Sequence, residues 1–302
     1  MEHGREDIRI GFLQHGSETS PGTRVRVLYV VKYIENGISS KNTDDLVNCD
    51  VVIFQKRYKR EDVIFAKWLK SQGKKVLVDL CDPVWDKDYP GVYFPITGDI
   101  QEDFKELLKL SDLVMLCTPR LQEMFNEHYS AKNIVLIDRF DLDIHKADKV
   151  HTNKNKPIIL WHGSKFNVPS LNIARDGLER LHKDIDFKLV VIHEAGAEKL
   201  KSFSFKTEYK IWNLSTINKE IQKADITINT HEPNSYKSNG KTIKSLALGI
   251  PCVENNFYQN CNKLLTDIVT RKQIAKEGRQ LVEKKYDSKL SAREIEDLCK
   301  SI

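Results

Sequence analysis

The chain has 302 residues, enough for two domains of about 150 each. Hydrophobic residues make up 40% and charged residues 30%, which excludes a disordered or collagen-like chain. The net charge of +5 is a mild excess that suits anionic partners such as nucleotides, anionic lipid head groups or nucleic acid, and singles out none of them.

No apolar run approaches the ~20 residues of a membrane span. The opening "MEHGREDIRI" is charged and lacks the apolar stretch of a signal peptide. Cysteines stand at 49, 81, 117, 252, 261 and 299, with no C-x-x-C pair. They read as reduced core thiols of a cytoplasmic protein, and no metal site is expected from their spacing.

In chain order, the first half alternates short apolar runs with amphipathic stretches. Strands are predicted at "IRIGFLQ" (8–14), "DVVIFQK" (50–56), "KVLVDLCD" (75–82), "LVMLCT" (113–118) and "NIVLID" (133–138). Helices are predicted at 23–37, 60–73, 99–112 and 119–129. Gly37 and Gly73 fit the left-handed position after a last turn, and Pro119 fits a first helical position. The stretch 146–156 is polar and aperiodic and reads as a linker. The second half repeats the alternation. Strands are predicted at 157–163, 187–194, 209–214, 225–231 and 251–255, with helices near 169–183, 216–224 and 241–248. Two amphipathic helices, 271–286 and 288–300, close the chain.

This order predicts two α/β domains with parallel, Rossmann-like sheets: residues 1–145, then 157–286, with a final helix at 287–302 able to cross back to the first domain. In such sheets ligands bind beyond the carboxyl ends of the strands. The loops to inspect are therefore His15–Gly16, Asp79–Asp82, His162–Lys165, His193–Glu194 and His231–Gly240.

The most informative segment is "HEPNSYKSNGKTIKSLALGIPCV" (231–253). It follows a predicted strand. Ser238, Asn239 and Gly240 can open a helix whose free N–H groups and dipole favour an anion, with Lys237 and Lys241 beside it. Gly249 ends that helix and Pro251 prevents its continuation. The chemistry fits a diphosphate; solvated lysines on an ordinary loop are the simpler alternative. In the first half, "QHGSETSPGTR" (14–24) is rich in Gly, Ser and Thr without being a dinucleotide fingerprint, and His15 and Arg24 are its candidates. Asp79, Asp82 and Asp86 crowd "DLCDPVWD", where carboxylates can act as a base, orient hydroxyls or coordinate a metal, or else cap a helix or form a turn before Pro83. The run "KRYKRED" (56–62) could touch an anionic membrane surface or a nucleic-acid backbone.

The spacing K-S-x-x-K-x-x-x-x-x-A-x-G-x-P, carried by Lys237, Ser238, Lys241, Ala247, Gly249 and Pro251, resembles the donor-site helix of GT-B glycosyltransferases of the large retaining, family 4-like group. Other segments are similar to that group in the same order. They are 49–86, "SDLVMLCTPRLQEMF" (111–125), "IDRFDLDIH" (137–145), "IILWHGSKFNVPSL" (158–171), 209–233 and 275–298. There are departures: Cys81 interrupts a D-x-D-D match, and Tyr236 and Lys244 stand where the group often has glutamates. Only Lys165 follows Ser164 where an Arg-Lys pair is common.

The resemblance implies a GT-B fold with two domains facing across a cleft. It implies transfer of a sugar from a nucleotide-diphosphate sugar to an acceptor hydroxyl, with retention, no cofactor beyond that co-substrate and no metal. It implies catalytic roles for His15, Asp82 and Lys241. Donor contacts would come from Gly16, His162, Gly163, Ser164, Lys165, His231, Tyr236, Lys237, Ser238, Asn239, Gly240, Lys241 and Lys244, and acceptor contacts from Arg24, Asp79 and Asp86. The acceptor would be a saccharide, a lipid-linked molecule or another hydroxyl compound. The lost acidic positions leave a non-catalytic nucleotide-sugar or partner-binding protein of the same fold as one alternative. A phage-type DNA-base glycosyltransferase is another, with peripheral membrane or DNA contact through basic surface.

Overall fold

The structure is a computed structural model that describes residues 8–86, 98–196, 202–231 and 236–302. Residues 232–235 of the expected donor loop lie outside the described residues. The chain divides into two units. Unit 1 takes in Met1–Asp141, Asn234–Ser238 and Ser288–Ile302; unit 2 takes in Leu142–Pro233 and Asn239–Asp287.

Unit 1 begins with β1 (Ile10–Leu13), every residue of it buried. A helical run follows, α1 (Pro21–Thr23), a π-type stretch Arg24–Leu28 and α2 (Tyr29–Val31). Here the structure corrects the sequence reading. The helix stops at Val31, and Gly37 opens a strand, β2 (Gly37–Ser40), instead of capping the helix. A Cβ at Gly37 would lie 2.7 Å from the Ile34 Cβ, so glycine permits the tight turn that lays β2 against β1. The sequence "GISS" carries no apolar alternation, so this edge strand gives no periodic signal.

The rest of unit 1 alternates strand and helix: β3 (Val51–Gln55), α3 (Arg60–Ser71), β4 (Lys75–Leu80), α4 (Asp99–Leu110), β5 (Leu113–Leu116), α5 (Pro119–Asn126) and β6 (Asn133–Val135). Their order in the sheet is β2-β1-β3-β4-β5-β6, all parallel. Central strands covered on both faces read as unbroken apolar runs rather than alternations, as "VVIF" does. Gly73 follows α3 at φ 73°, and the Thr118 hydroxyl accepts the Leu121 N–H at the start of α5.

Unit 2 holds β7 (Ile158–His162), a 3₁₀ stretch Lys165–Ala174, α6 (Arg175–Asp184), β8 (Lys188–His193), β9 (Thr207–Ile211), α7 (Ile217–Lys223), β10 (Ile226–Ile228), α8 (Gly240–Ala247), β11 (Cys252–Val253), α9 (Phe257–Thr266) and α10 (Ile268–Lys285). The sheet order is β11-β10-β7-β8-β9, again all parallel. The helix predicted near 169–183 is replaced up to Ala174 by 3₁₀ turns that contain Pro169. The helix α9 is absent from the sequence reading. Its stretch "FYQNCNKLLT" is polar in the middle, and packing holds it. Gly177 of α6 sits so close that a Cβ would be 2.9 Å from the Phe257 Cβ. The stretch 146–156 is irregular but anchored to unit 2. The Lys149 ammonium donates to the Gln222 carbonyl at 2.9 Å, and the buried His151 ring lies 2.9 Å from the Gly249 carbonyl oxygen.

The last helix, α11 (Ser288–Ser301), belongs to unit 1. Its Ala292, Ile295 and Cys299 are buried in one cluster with Ile10, Phe12, Ile53, Leu77 and Met115. Among the described residues no helix is long and apolar enough to cross a membrane.

Candidate functional site

The carboxyl end of the unit 2 sheet brings four of the expected donor residues together. His162 is the last residue of β7 and is 8% exposed. Burial first, then the nearby Lys244 and Lys241 ammonium groups, hold its imidazole well below the ordinary value, so it is neutral. Among the described residues its Nε2 has no hydrogen-bond partner. Gly163 continues the chain, and its N–H bonds the Ile192 carbonyl at 3.0 Å. A Cβ here would lie 2.7 Å from the Trp161 ring and 3.1 Å from Lys241 Cε, so only glycine fits between them. Lys241 is the second residue of α8, in the turn whose N–H groups have no helical partner. Its ammonium stands 4.6 Å from the centroid of the Trp161 ring.

Around this group the strand ends are tied by hydrogen bonds. Trp161 Nε1–H donates to Thr230 Oγ1 at 3.0 Å, and Ser170 and Thr230 share a hydroxyl–hydroxyl bond of 2.6 Å. Asn229 donates to Thr242 Oγ1 at 3.0 Å, and Thr242 donates to Glu254 at 2.6 Å. Ser164 precedes the 3₁₀ stretch as its N-cap residue. Lys165 N–H bonds the Glu194 carboxylate at 3.0 Å, and its ammonium lies 5.0 Å from the Phe166 ring centroid. His231 is half-buried just past β10, and Asn239 and Gly240 form the start of α8. Sequence reading missed Trp161, Ser170, Thr230 and Asn229. Their polar atoms point along or under the sheet end, and nothing in a strand-like run marks a tryptophan as other than core.

Three further donor candidates fall in the other unit's grouping. Tyr236, Lys237 and Ser238 belong to unit 1. Tyr236 is 1% exposed in its core, its carbonyl accepts from Thr118 Oγ1 at 2.7 Å, and its hydroxyl donates to Asp82 at 3.3 Å. The structure thus places Tyr236 as a packing residue of unit 1, where the sequence reading had a donor contact. Lys237 lies 5.7 Å from the Tyr236 ring centroid, and Ser238 donates to Asp138.

The unit 1 strand ends are built on ion pairs. Arg26, inside the π-type stretch, makes two contacts of 3.0 Å from Nε to Asp79, a further bond from NH2, and bonds to the Leu136 carbonyl (2.7 Å) and Asp138 (2.9 Å). Burial favours neutral Asp79 and opposes the charge on Arg26. The carboxylates outweigh this on the guanidinium, whose pKa is raised, and the pair stays ionised. Asp79 is thus 2% exposed and engaged, so it positions β4 and does not face an acceptor, a second correction. Asp82 pairs with Lys56, which ends β3 in a left-handed conformation at φ 51°. His15 donates its backbone N–H to Gln55 Oε1 at 3.1 Å, and Gly16 N–H bonds Thr23 Oγ1 at 3.2 Å. Burial, then Lys56, Arg57 and Lys59, lower the His15 pKa. Arg24 donates to the Glu18 carbonyl at 2.7 Å, and Asp86 closes a turn through its N–H to the Pro83 carbonyl at 2.9 Å.

The basic run 56–62 is largely spoken for. Lys56 pairs with Asp82, Arg57 with Asp62, Arg60 with Asp103 and Glu106, and Tyr58 is buried. Among the described residues no group of three or more His, Cys, Asp or Glu could hold a metal ion.

The two parallel sheets match known structures over most or nearly all of the chain. Against HepE of Anabaena, solved in complex with UDP, the TM-score is 0.66 at 10% identity, covering 98% of this chain and 100% of that one. The fold is GT-B. Sucrose-phosphate synthase from Thermosynechococcus elongatus gives a TM-score of 0.63 at 11% identity, with 91% and 79% of the two chains covered. A UDP-forming trehalose-phosphate synthase from Burkholderia xenovorans gives 0.57 at 10% identity, covering 86% and 76%. No family model matches the sequence. No curated protein matches it either. At such identities a GT-B backbone is shared while most side chains are not.

Proposed function

We propose that this GT-B chain is a glycosyltransferase that moves a sugar from a nucleotide-diphosphate sugar to an acceptor hydroxyl, with retention of configuration. One observation carries the reading: Lys241, at the open first turn of α8, meets neutral His162, Gly163 and Lys244 at the carboxyl end of the unit 2 sheet. A helix start with an adjacent ammonium is suited to a diphosphate. The complex of HepE with UDP, and the UDP-forming synthase, support a uridine diphosphate donor for this fold.

In the reaction the bond from the anomeric carbon to the diphosphate oxygen breaks and its electron pair leaves with the phosphate. The acceptor oxygen bonds the anomeric carbon and passes its proton to the departing diphosphate. Negative charge grows on the departing phosphate, and Lys241 with the α8 N–H groups would stabilise it, a contribution of about 2–4 kcal/mol for one well-placed donor. Ser164 and Lys165, at the next strand end, would contact the same diphosphate. Asp82 and His15, on unit 1 loops, are the proposed acceptor-side groups. The acceptor proposed is a saccharide or other hydroxyl compound.

A mass-spectrometric screen of nucleotide sugars tests this by binding and slow hydrolysis. Capture and turnover of one UDP-sugar is expected. Binding without turnover, across sugars and acceptors, would assign the chain to the non-catalytic class.

A further inference from the structure

Trp161 is fully buried in a strand, where any large apolar side chain would fill the volume. Its surroundings are more specific than filling requires. The indole N–H is pinned to Thr230 Oγ1 at 3.0 Å, and Thr230 is in turn held by Ser170 at 2.6 Å. The benzo edge of the ring is covered by Gly163, where a Cβ would come within 2.7 Å. The Lys241 ammonium lies over the ring at 4.6 Å from its centroid, within the ~6 Å range of a cation–π contact.

We infer that Trp161 is a positioning residue for Lys241, and that the chain Ser170–Thr230–Trp161 sets where that ammonium stands relative to a bound diphosphate. The inference rests on the donor-site reading of Lys241. The physical point is the kind of support used. A carboxylate would orient a lysine by cancelling its charge. The face of an indole attracts an ammonium through its quadrupole and carries no net charge of its own. A hydrogen bond at one edge and a glycine at the other remove the ring's freedom to tilt. Lysine on a four-carbon stem has several rotatable bonds, and a fixed face beneath it lowers the entropy lost when a ligand arrives.

The test is a double-mutant cycle on the full chain, with UDP as the probe and titration calorimetry as the readout. Lys241→Met should weaken UDP at least tenfold. Trp161→Leu should weaken UDP at least fivefold when Lys241 is present, and less than twofold when position 241 is already methionine. Trp161→Phe keeps a π face and should recover most of the loss. Thermal melts of each variant report folding. Should Trp161→Leu fail to fold, Thr230→Val gives the same cycle, since it removes the acceptor of the indole N–H together with the Ser170 bond and should cost two- to fivefold solely in the Lys241 background.

Equal losses in both backgrounds would make Trp161 a structural residue and overturn the proposal. So would a harmless Trp161→Leu beside a damaging Lys241→Met. A Lys241→Met variant that binds UDP normally would instead overturn the donor-site reading, and the proposal with it.

Discussion

The two units end their sheets in opposite ways. In unit 1 the buried charges are matched: Arg26 with Asp79 and Asp138, and Lys56 with Asp82. In unit 2 the buried imidazole of His162 is kept neutral beside Lys241 and Lys244, and Lys241 leans on an indole face. A paired charge is an architectural element, since its field is consumed locally. The contrast bears on the anion site proposed in unit 2.

The largest test breaks the unit 1 side. Arg26→Leu leaves Asp79 buried without its partner and should cost about 3–5 kcal/mol of unit 1 stability, read from urea denaturation. The double variant with Asp79→Asn should recover part of that loss. A neutral Arg26→Leu would mean that the ion pair is not what holds the β4 end.

Next comes the unit 2 side. Lys241→Met should remove about 1.5–3 kcal/mol of UDP binding, roughly 10- to 100-fold, the scale of a hydrogen bond to a charged group. If UDP affinity is unchanged, the contrast between the units loses its functional meaning.

A third effect is smaller and depends on pH. His162 titrates in the folded chain well below its unfolded value near 6.5. Between those two values the unfolded chain binds more protons, so stability rises with pH. The stabilisation is therefore present above about 6.5 and is lost as pH falls towards the folded pKa, with a slope of up to about 1.4 kcal/mol per pH unit for this group. His15 and His151 are lowered too and add with the same sign. His162→Gln should flatten the urea midpoint against pH between 5 and 7; an unchanged slope would show that His162 is not the titrating group.

Two tests expect little change and sharpen the unit 2 site. Lys244 has three donors and no acceptor, so it cannot accept from ribose hydroxyls. Replacing UDP by 2′-deoxy-UDP should change affinity less than threefold, and a preference of tenfold or more for UDP would point to another residue as the ribose clamp. Transfer should also survive EDTA if, as proposed, Lys241 and the α8 terminus supply the positive charge. Abolition by chelator with rescue by magnesium or manganese would contradict this.

Much of the architecture was legible because parallel strands covered on both faces are unbroken apolar runs, and "VVIF" and "KVLVDL" could hardly be misread. β2 was hidden, since an edge strand of sequence "GISS" makes backbone bonds without apolar pattern. The α8 start was legible from the Ser-Asn-Gly run before Lys241. Arg26 was not: within "TRVRVLYVV" it looks like a solvent-facing base. Its partners, Asp79 and Asp138, lie 53 and 112 residues on, a distance that local spacing cannot bridge. Tyr236 was misplaced for the same reason, since the core that takes it is assembled from residues far back in the chain.

The placement of α11 bears on how this molecule is made. The face formed by Ile10, Phe12, Leu77 and Met115 is closed by Ala292, Ile295 and Cys299. Unit 2, by contrast, ends at Asp287. At synthesis rates of about 5–20 residues per second, unit 1 waits on the order of ten seconds after its last strand has been made before the helix that covers it exists. Throughout that interval a greasy sheet face is presented to the crowded surroundings of the ribosome, while unit 2 can complete itself. The order of maturation is thus the reverse of the order of translation: the first unit begun is the last one finished, and a nascent chain cut short before Ser288 is a natural client for a chaperone.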